Sequence, residues 1–367
     1  MSNVVRFAHH AAQSRGASGQ GGLAPLLACF AHHRRHLGDA FWLKENAEVL
    51  NILVATGRRL PELALAVYQP FYEGIEAQIG FYPQYYRMLL SVTQSLEALG
   101  YPGRKSEALA AWIVAQGWPE IEVNDLQRAE TRYLLGRAGQ TAADDGLDDR
   151  LIRFMSRPAT FAVPNPRAAY DMLHAIFYLS HYGRRPLDLP AAALTSLQMC
   201  GALAHLDQDG DLLAEVCLAL RYCGQPLPPL WLDLLRREAR SFKIDVASCS
   251  DSADAYHNFL VNQWLLETIG DTAFGDIFYA GPMRFILPRP LISPLREWSQ
   301  ALLALGSDRR ADWAAMRSAC APRLSAAAVA VADAGAEGSP GFEAFFAHFA
   351  RSAQPFAEPT KLVRIGA

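Results

Sequence analysis

The sequence predicts an all-α protein built of α/α hairpin repeats. Apolar residues recur with a period near 3.6 along most of the chain, strand-like alternation is scarce, and helical segments stop at regularly spaced glycines. Those glycines stand at 57, 100, 139, 183, 224, 270 and 306, so successive gaps are 43, 39, 44, 41, 46 and 36 residues. A repeat of about forty residues made of helix, glycine, proline and helix is the pattern of stacked helical pairs.

Each glycine closes an apolar phrase: NILVATG (51–57), TQSLEALG (93–100), RYLLGRAG (132–139), FYLSHYG (177–183), LALRYCG (218–224), WLLETIG (264–270) and LLALG (302–306). Glycine suits the residue after a helix because the left-handed backbone conformation costs it no Cβ clash. Pro61, Pro102, Pro186 and Pro226 follow soon after and are suited to opening the next helix. A second, more amphipathic helix then fills each period, over 61–76, 105–116, 145–156, 189–205 and 229–241. The glycine-ended helices are the more uniformly apolar set, as in DMLHAIFYLSHYG and NFLVNQWLLETIG, which marks helices buried on most sides. The expected architecture is therefore a closed α/α toroid with these helices inside, and an open α-solenoid is the alternative. Residues 271–294, rich in Phe, Pro and Gly, break the rhythm and read as an ordered strap packing its aromatics on the helices. The division expected is a basic, flexible tail over 1–21, one repeat domain over 22–353 and a short extension over 354–367.

Composition supports a packed core and narrows the function. Hydrophobic residues make up 51% of the 367 and charged residues 19%, which excludes a disordered chain. A net charge of −3 argues against nucleic acid or a membrane surface as partner. The 34 basic residues are mostly Arg, spread along the whole chain, which reads as coding bias. Six cysteines without a CxxC pair read as free thiols in a reducing compartment, and no apolar run approaches the ~20 residues of a membrane span. With no secretory signal evident, a cytoplasmic protein is expected.

Aligning the repeats on their glycines gives a second signal. Nine residues before each of the first six stand Glu48, Ser91, Glu130, His174, Glu215 and Val261, so ionisable groups recur at one level of otherwise apolar helices. At about 1.5 Å per residue, equal offset means equal height, and in a toroid these side chains face a common axis. Expected partners on the same faces are Glu45 with Glu48, Gln127 with Glu130, Asp171 with His174, and Asp211 with Glu215, at i,i+3 or i,i+4 spacing. His257 and Asn258 hold that level in the sixth repeat, and His181 follows His174 by two turns. Carboxylates and histidines in an apolar cup supply general acids and bases. The expected catalytic set is His174 as acid/base, Asp171 as its orienter, Glu130 and Glu215. Glu48, Asp211, His257, Asn258 and His181 are the expected binding residues. No metal site is expected, and no cofactor or individual partner is indicated.

Other motifs read as structure. Asp207, Asp209 and Asp211 imitate half a calcium loop, but Leu218 stands where the bidentate Glu belongs, so helix capping is expected. Asp144, Asp145, Asp148 and Asp149 read as a solvated helix start. His32, His33 and His36, interrupted by Arg34 and Arg35, read as an exposed basic helix. No P-loop, GxSxG or HExxH occurs.

The phrases FWLKENAEVLNIL (41–53), GFYPQYYRMLLS (80–91) and YDMLHAIFYLSHYG (170–183) resemble an uncharacterised proteobacterial all-helical family of about this length. That resemblance covers most of the chain after the tail and implies no reaction. At fold level the pattern is similar to α/α-toroid proteins such as terpenoid cyclases and lanthionine cyclases. The chain lacks the DxDD acid motif of the former and the Cys/His zinc ligands of the latter. Two functions are expected: an enzyme or small-molecule binder using the central cup, or a protein-interaction scaffold with Tyr82, Tyr85 and Tyr86 among its contacts.

Overall fold

The computed structural model describes residues 22–246, 254–288 and 293–352. These are almost entirely helices and their connections, so the protein is all-α. Helix α1 (Ala24–Ala28) runs into a π-helical turn and is followed by α2 (Ala40–Ala55), whose first turn is capped by the Asp39 carboxylate accepting from Phe41 N–H at 2.8 Å. Helices α3 (Glu62–Leu65), α4 (Gln69–Glu73) and α5 (Ile75–Phe81) occupy the expected second helix of that repeat, interrupted by a 3-10 turn (Ala66–Tyr68) and at Gly74. Next come α6 (Tyr86–Leu99), α7 (Lys105–Ala115), α8 (Asp125–Arg137), α9 (Leu147–Met155) and the short α10 (Pro158–Phe161). Asn124 and Asn165 cap α8 and α11 (Pro166–Leu179), and Asp209 caps α13 (Gly210–Tyr222), which follows α12 (Ala191–Asp207). After α14 (Pro229–Ser241), strand β1 (Lys243–Val246), α15 (Tyr256–Ile269) and strand β2 (Met283–Ile286), the described chain closes with α16 (Pro294–Leu305), α17 (Trp313–Cys320), α18 (Ala326–Gly338) and α19 (Phe342–Phe349).

Packing follows the hydrophobic pattern. Helices α2, α6, α8, α11, α13 and α15 each pack against the next, and α15 packs back against α2. These are the glycine-ended helices of the first six repeats. In α13 every residue from Leu212 to Leu220 is buried, as a helix surrounded on all sides requires. The intervening α7, α9, α12 and α14 pack against that set, and α14 buries one stripe, Trp231, Leu234 and Leu235. Each fully buried Leu or Val contributes roughly 1.5–3 kcal/mol relative to exposure.

Four expectations need correction. The seventh glycine phrase ends α16, which packs with α12 and α18, so the succession of neighbouring glycine-ended helices stops after six. The strap buries Phe274, Phe278 and Phe285 as expected, but it also carries β2, antiparallel to β1 with Ile244 opposite Phe285. Four-residue strands held mainly by a distant partner leave little local pattern to read. Helix α11 ends at Leu179, and His181 and Tyr182 already lie at φ 50° and 55°, so His181 sits on an exposed turn and does not share the helical face of His174. In the HHRRH segment His32, His33 and His36 are exposed, whereas Arg34 is buried between Glu45 (2.7 Å) and Asp254 (2.5 Å). The expected tail over 1–21, extension over 354–367 and Cys249 lie outside the described residues; the other five cysteines are buried and form no disulfide with one another. Among the described residues no helix is long and apolar enough to cross a membrane.

Candidate functional site

The six side chains singled out by the glycine register line one cavity. Glu48 of α2, Ser91 of α6, Glu130 of α8, His174 of α11, Glu215 of α13 and Val261 of α15 surround a space of about 220 Å³. Equal distance from the helix end places them at one height because the helices that carry them pack side by side.

One turn towards the helix starts lies a charged layer. Lys44 Nζ donates to Glu48 Oε1 at 2.6 Å, and Tyr256 O–H donates to Glu48 Oε2 at 2.9 Å. His257 Nδ1 lies 2.8 Å from Asp211 Oδ1, and its Nε2 lies 3.9 Å from Glu48 Oε1. Tyr170 O–H donates to the other Asp211 oxygen at 2.9 Å. Burial works against a charge on His257, but the hydrogen bond and charge of Asp211, with Glu48 and Glu215, outweigh it and raise its pKa to about 9. Its imidazole is therefore cationic at neutral pH.

At the level of the ring, His174 Nε2 stands 3.8 Å from Glu215 Oε2. His174 lines the cavity, and 41% of its side chain is exposed. Desolvation and the charge of His257 lower its pKa to about 4, so it is neutral at pH 7. The Glu215 side chain is 3% exposed, and its Oε2 accepts no hydrogen bond among the described residues. Burial, reinforced by Asp211 and Glu48, pushes its carboxyl well above the usual range against the opposing charge of His257. Glu130 lies across from them at 3.0 Å from Arg87 Nε, and Arg87 also holds Glu122. Desolvation raises the Glu130 carboxyl too, with Arg87 opposing.

Towards the helix ends the lining turns aromatic: Phe177, Tyr178, Tyr182 and Trp264. Phe177 and Trp264 ring centres are 5.2 Å apart, and the His174 ring is 6.0 Å from Phe177 and 6.2 Å from Tyr178. The cavity thus has a charged layer, a layer of titratable side chains and an aromatic wall.

Several expected members sit elsewhere. The Asp171 carboxylate is held by Arg167 Nε at 3.1 and 3.0 Å, and it does not orient His174. Glu45 is bonded by Arg34 and Arg35. Gln127 lies with Arg87 and Glu122 around a neighbouring cavity. Asn258 is buried outside the cup lining, with neither side-chain amide atom hydrogen-bonded among the described residues. A rotation of 100° per residue explains this selection: i−4 departs from the ring direction by ~40° and i−3 by ~60°. Lys44, Asp211 and His257 stand at i−4 and join the network; Glu45, Gln127 and Asp171 stand at i−3 and turn to neighbours. Lys44, Arg87, Tyr170 and Tyr256 were missed, although the first three lie four residues before Glu48, Ser91 and His174, where a second alignment would have found them. The aromatic wall was missed because Phe177, Tyr178 and Trp264 look like core in sequence.

The remaining motifs behave as structure. Asp144 is paired with Arg128 and Arg150, and Asp148 with Arg132. Asp209 caps α13, while Asp211 belongs to the cup. Of the three tyrosines considered for a scaffold, Tyr82 is exposed, whereas Tyr86 is buried and bonded to Glu122 and Thr131. Among the described residues, no group of three or more His, Cys, Asp or Glu side chains is arranged to hold a metal ion.

Neither a curated protein nor a solved structure matches the chain. A family defined only as a domain of unknown function (DUF6902) matches residues 1–352. The chain belongs to this family.

Proposed function

We propose that the ring helices form a closed α/α toroid and that its central cup binds a small molecule and exchanges protons with it. The observation that carries this reading is the meeting of six equal-offset side chains around one cavity. The packing of α15 back onto α2 supports closure over an open solenoid. His174 and Glu215 are the proton-handling pair: a neutral imidazole and a carboxyl held protonated, facing each other at 3.8 Å. Groups whose surroundings drive their pKa values in opposite directions are the usual acid/base partners. Glu130 and Glu48 bound the substrate space, and the cationic His257, fixed by Asp211, sets the charge on one side. Five buried cysteines that form no disulfide with one another suit work in a reducing compartment such as the cytoplasm.

A thermal-shift screen of metabolites on the purified protein, repeated on His174→Ala and Glu215→Gln, tests this reading. A ligand shift in the wild type that is lost in either variant supports it. A second reading, an interaction scaffold, draws on the exposed Phe81, Ile121 and Val123. It predicts no ligand shift that depends on His174.

A further inference from the structure

We propose that the cup takes a small primary amine in its ammonium form, with the ammonium beside Glu215 and an apolar or aromatic tail against Phe177, Tyr178 and Trp264. This rests on the reading of the cup as a small-molecule site and adds the chemical class of its ligand. The cations around the cup are already committed: Lys44 to Glu48 at 2.6 Å, His257 to Asp211 at 2.8 Å, and Arg87 to Glu130 at 3.0 Å as well as to Glu122. These three cations face four carboxylates, and Glu215 is a fifth carboxyl that pairs with none of them. Its side chain is nearly sealed from solvent and lines the cavity, and among the described residues no donor reaches its Oε2. A buried acceptor left without a donor costs about 1–3 kcal/mol, which an ammonium N–H relieves with a charge-assisted bond.

The surroundings favour a cation over other ligands. Glu48, Asp209 and Asp211 all add negative potential at Glu215, and His257 is the cation that opposes them. An ammonium takes the place of the proton on the carboxyl, so the buried charge stays balanced when the ligand enters. An anionic ligand meets the same negative potential, and the named cations are already paired with carboxylates. The wall that begins beside His174 offers ring faces to a cation or flat surface to a hydrocarbon tail. A neutral alcohol of the same shape gains the wall and forgoes the charge.

Calorimetric titration with 2-phenylethylamine, 2-phenylethanol and 3-phenylpropanoate tests the proposal, on the wild type and on Glu215→Gln and Ser91→Trp. The amine is expected to bind roughly tenfold or more tightly than the alcohol, with the acid weakest. Glu215→Gln is expected to remove that preference while leaving the alcohol unaffected, and Ser91→Trp, which fills the cup, to abolish all binding. Alcohol or acid binding as tightly as the amine, lost in Ser91→Trp, overturns the amine proposal and leaves the small-molecule site standing. Amine preference undiminished in Glu215→Gln overturns the placement of the ammonium. Absence of binding by all three at millimolar concentration, or binding that survives Ser91→Trp, counts against both proposals.

Discussion

His257 Nδ1 lies 2.8 Å from Asp211 Oδ1, joining the first turns of two adjacent ring helices, α15 and α13. The contact fixes the imidazole and keeps it charged beside the cup.

That pairing makes stability fall on the alkaline side. The His257 pKa is raised from 6.5 to about 9, so between those values the folded protein holds a proton that the unfolded chain has released. The stabilisation is complete below 6.5 and lost as pH rises through 9, with an upper bound of about 3 kcal/mol by linkage. Denaturant unfolding followed from neutral to alkaline pH checks it. Asp211→Asn is expected to flatten the fall, and an unchanged slope in that variant contradicts the assignment.

His174 has the opposite sign. Its pKa is lowered from 6.5 to about 4, so the unfolded chain binds the extra proton, and stability is lost as pH falls from 6.5 through 4. Desolvation is the main cause and the charge of His257 adds to it. In His257→Gln the His174 resonance is expected to titrate at higher pH in a histidine NMR experiment. A titration midpoint that stays in place shows that the two rings do not communicate.

Arg34 anchors the start of the domain to the segment before α15, through Glu45 and Asp254, both nearly sealed from solvent. Arg34→Met takes the arginine from the buried Asp254 and leaves Glu45 with Arg35 alone, and is expected to cost about 3–5 kcal/mol in urea unfolding. A cost below about 1 kcal/mol contradicts the burial of this network.

The glycine stops differ in what surrounds them. At Gly183 (φ 79°) an added Cβ meets the Tyr222 ring at 2.4 Å, whereas at Gly57 (φ 75°) nothing lies within 4 Å. Gly57→Ala is expected to cost about 1–2 kcal/mol from the left-handed backbone alone. Gly183→Ala adds overpacking of roughly 1–3 kcal/mol. Equal melting temperatures for the two variants are the adverse result.

The helices and the common offset of the cavity-lining residues were legible in sequence because both are local: an apolar stripe, a glycine stop and a fixed distance from it. The second helices at 105–115, 191–207 and 229–241 fall within about two residues of expectation for the same reason. What sequence reading missed depends on contacts between distant residues. The β1–β2 pair joins segments some forty residues apart. Asp171 looked like a partner for His174 at i−3, but Arg167, four residues before it on the exposed side, holds it instead. The wall was hidden because an aromatic that lines a cavity and one that fills a core have the same signature.

Filling the cup is the most direct measurement of the central claim. Ser91 lines the cavity from α6. The metabolite giving the largest thermal shift is titrated into wild type and Ser91→Trp. The account predicts that Ser91→Trp keeps its fold, by circular dichroism and melting, and loses the ligand. Undiminished binding to the folded variant would contradict the claim that the ligand occupies the space enclosed by the six helices.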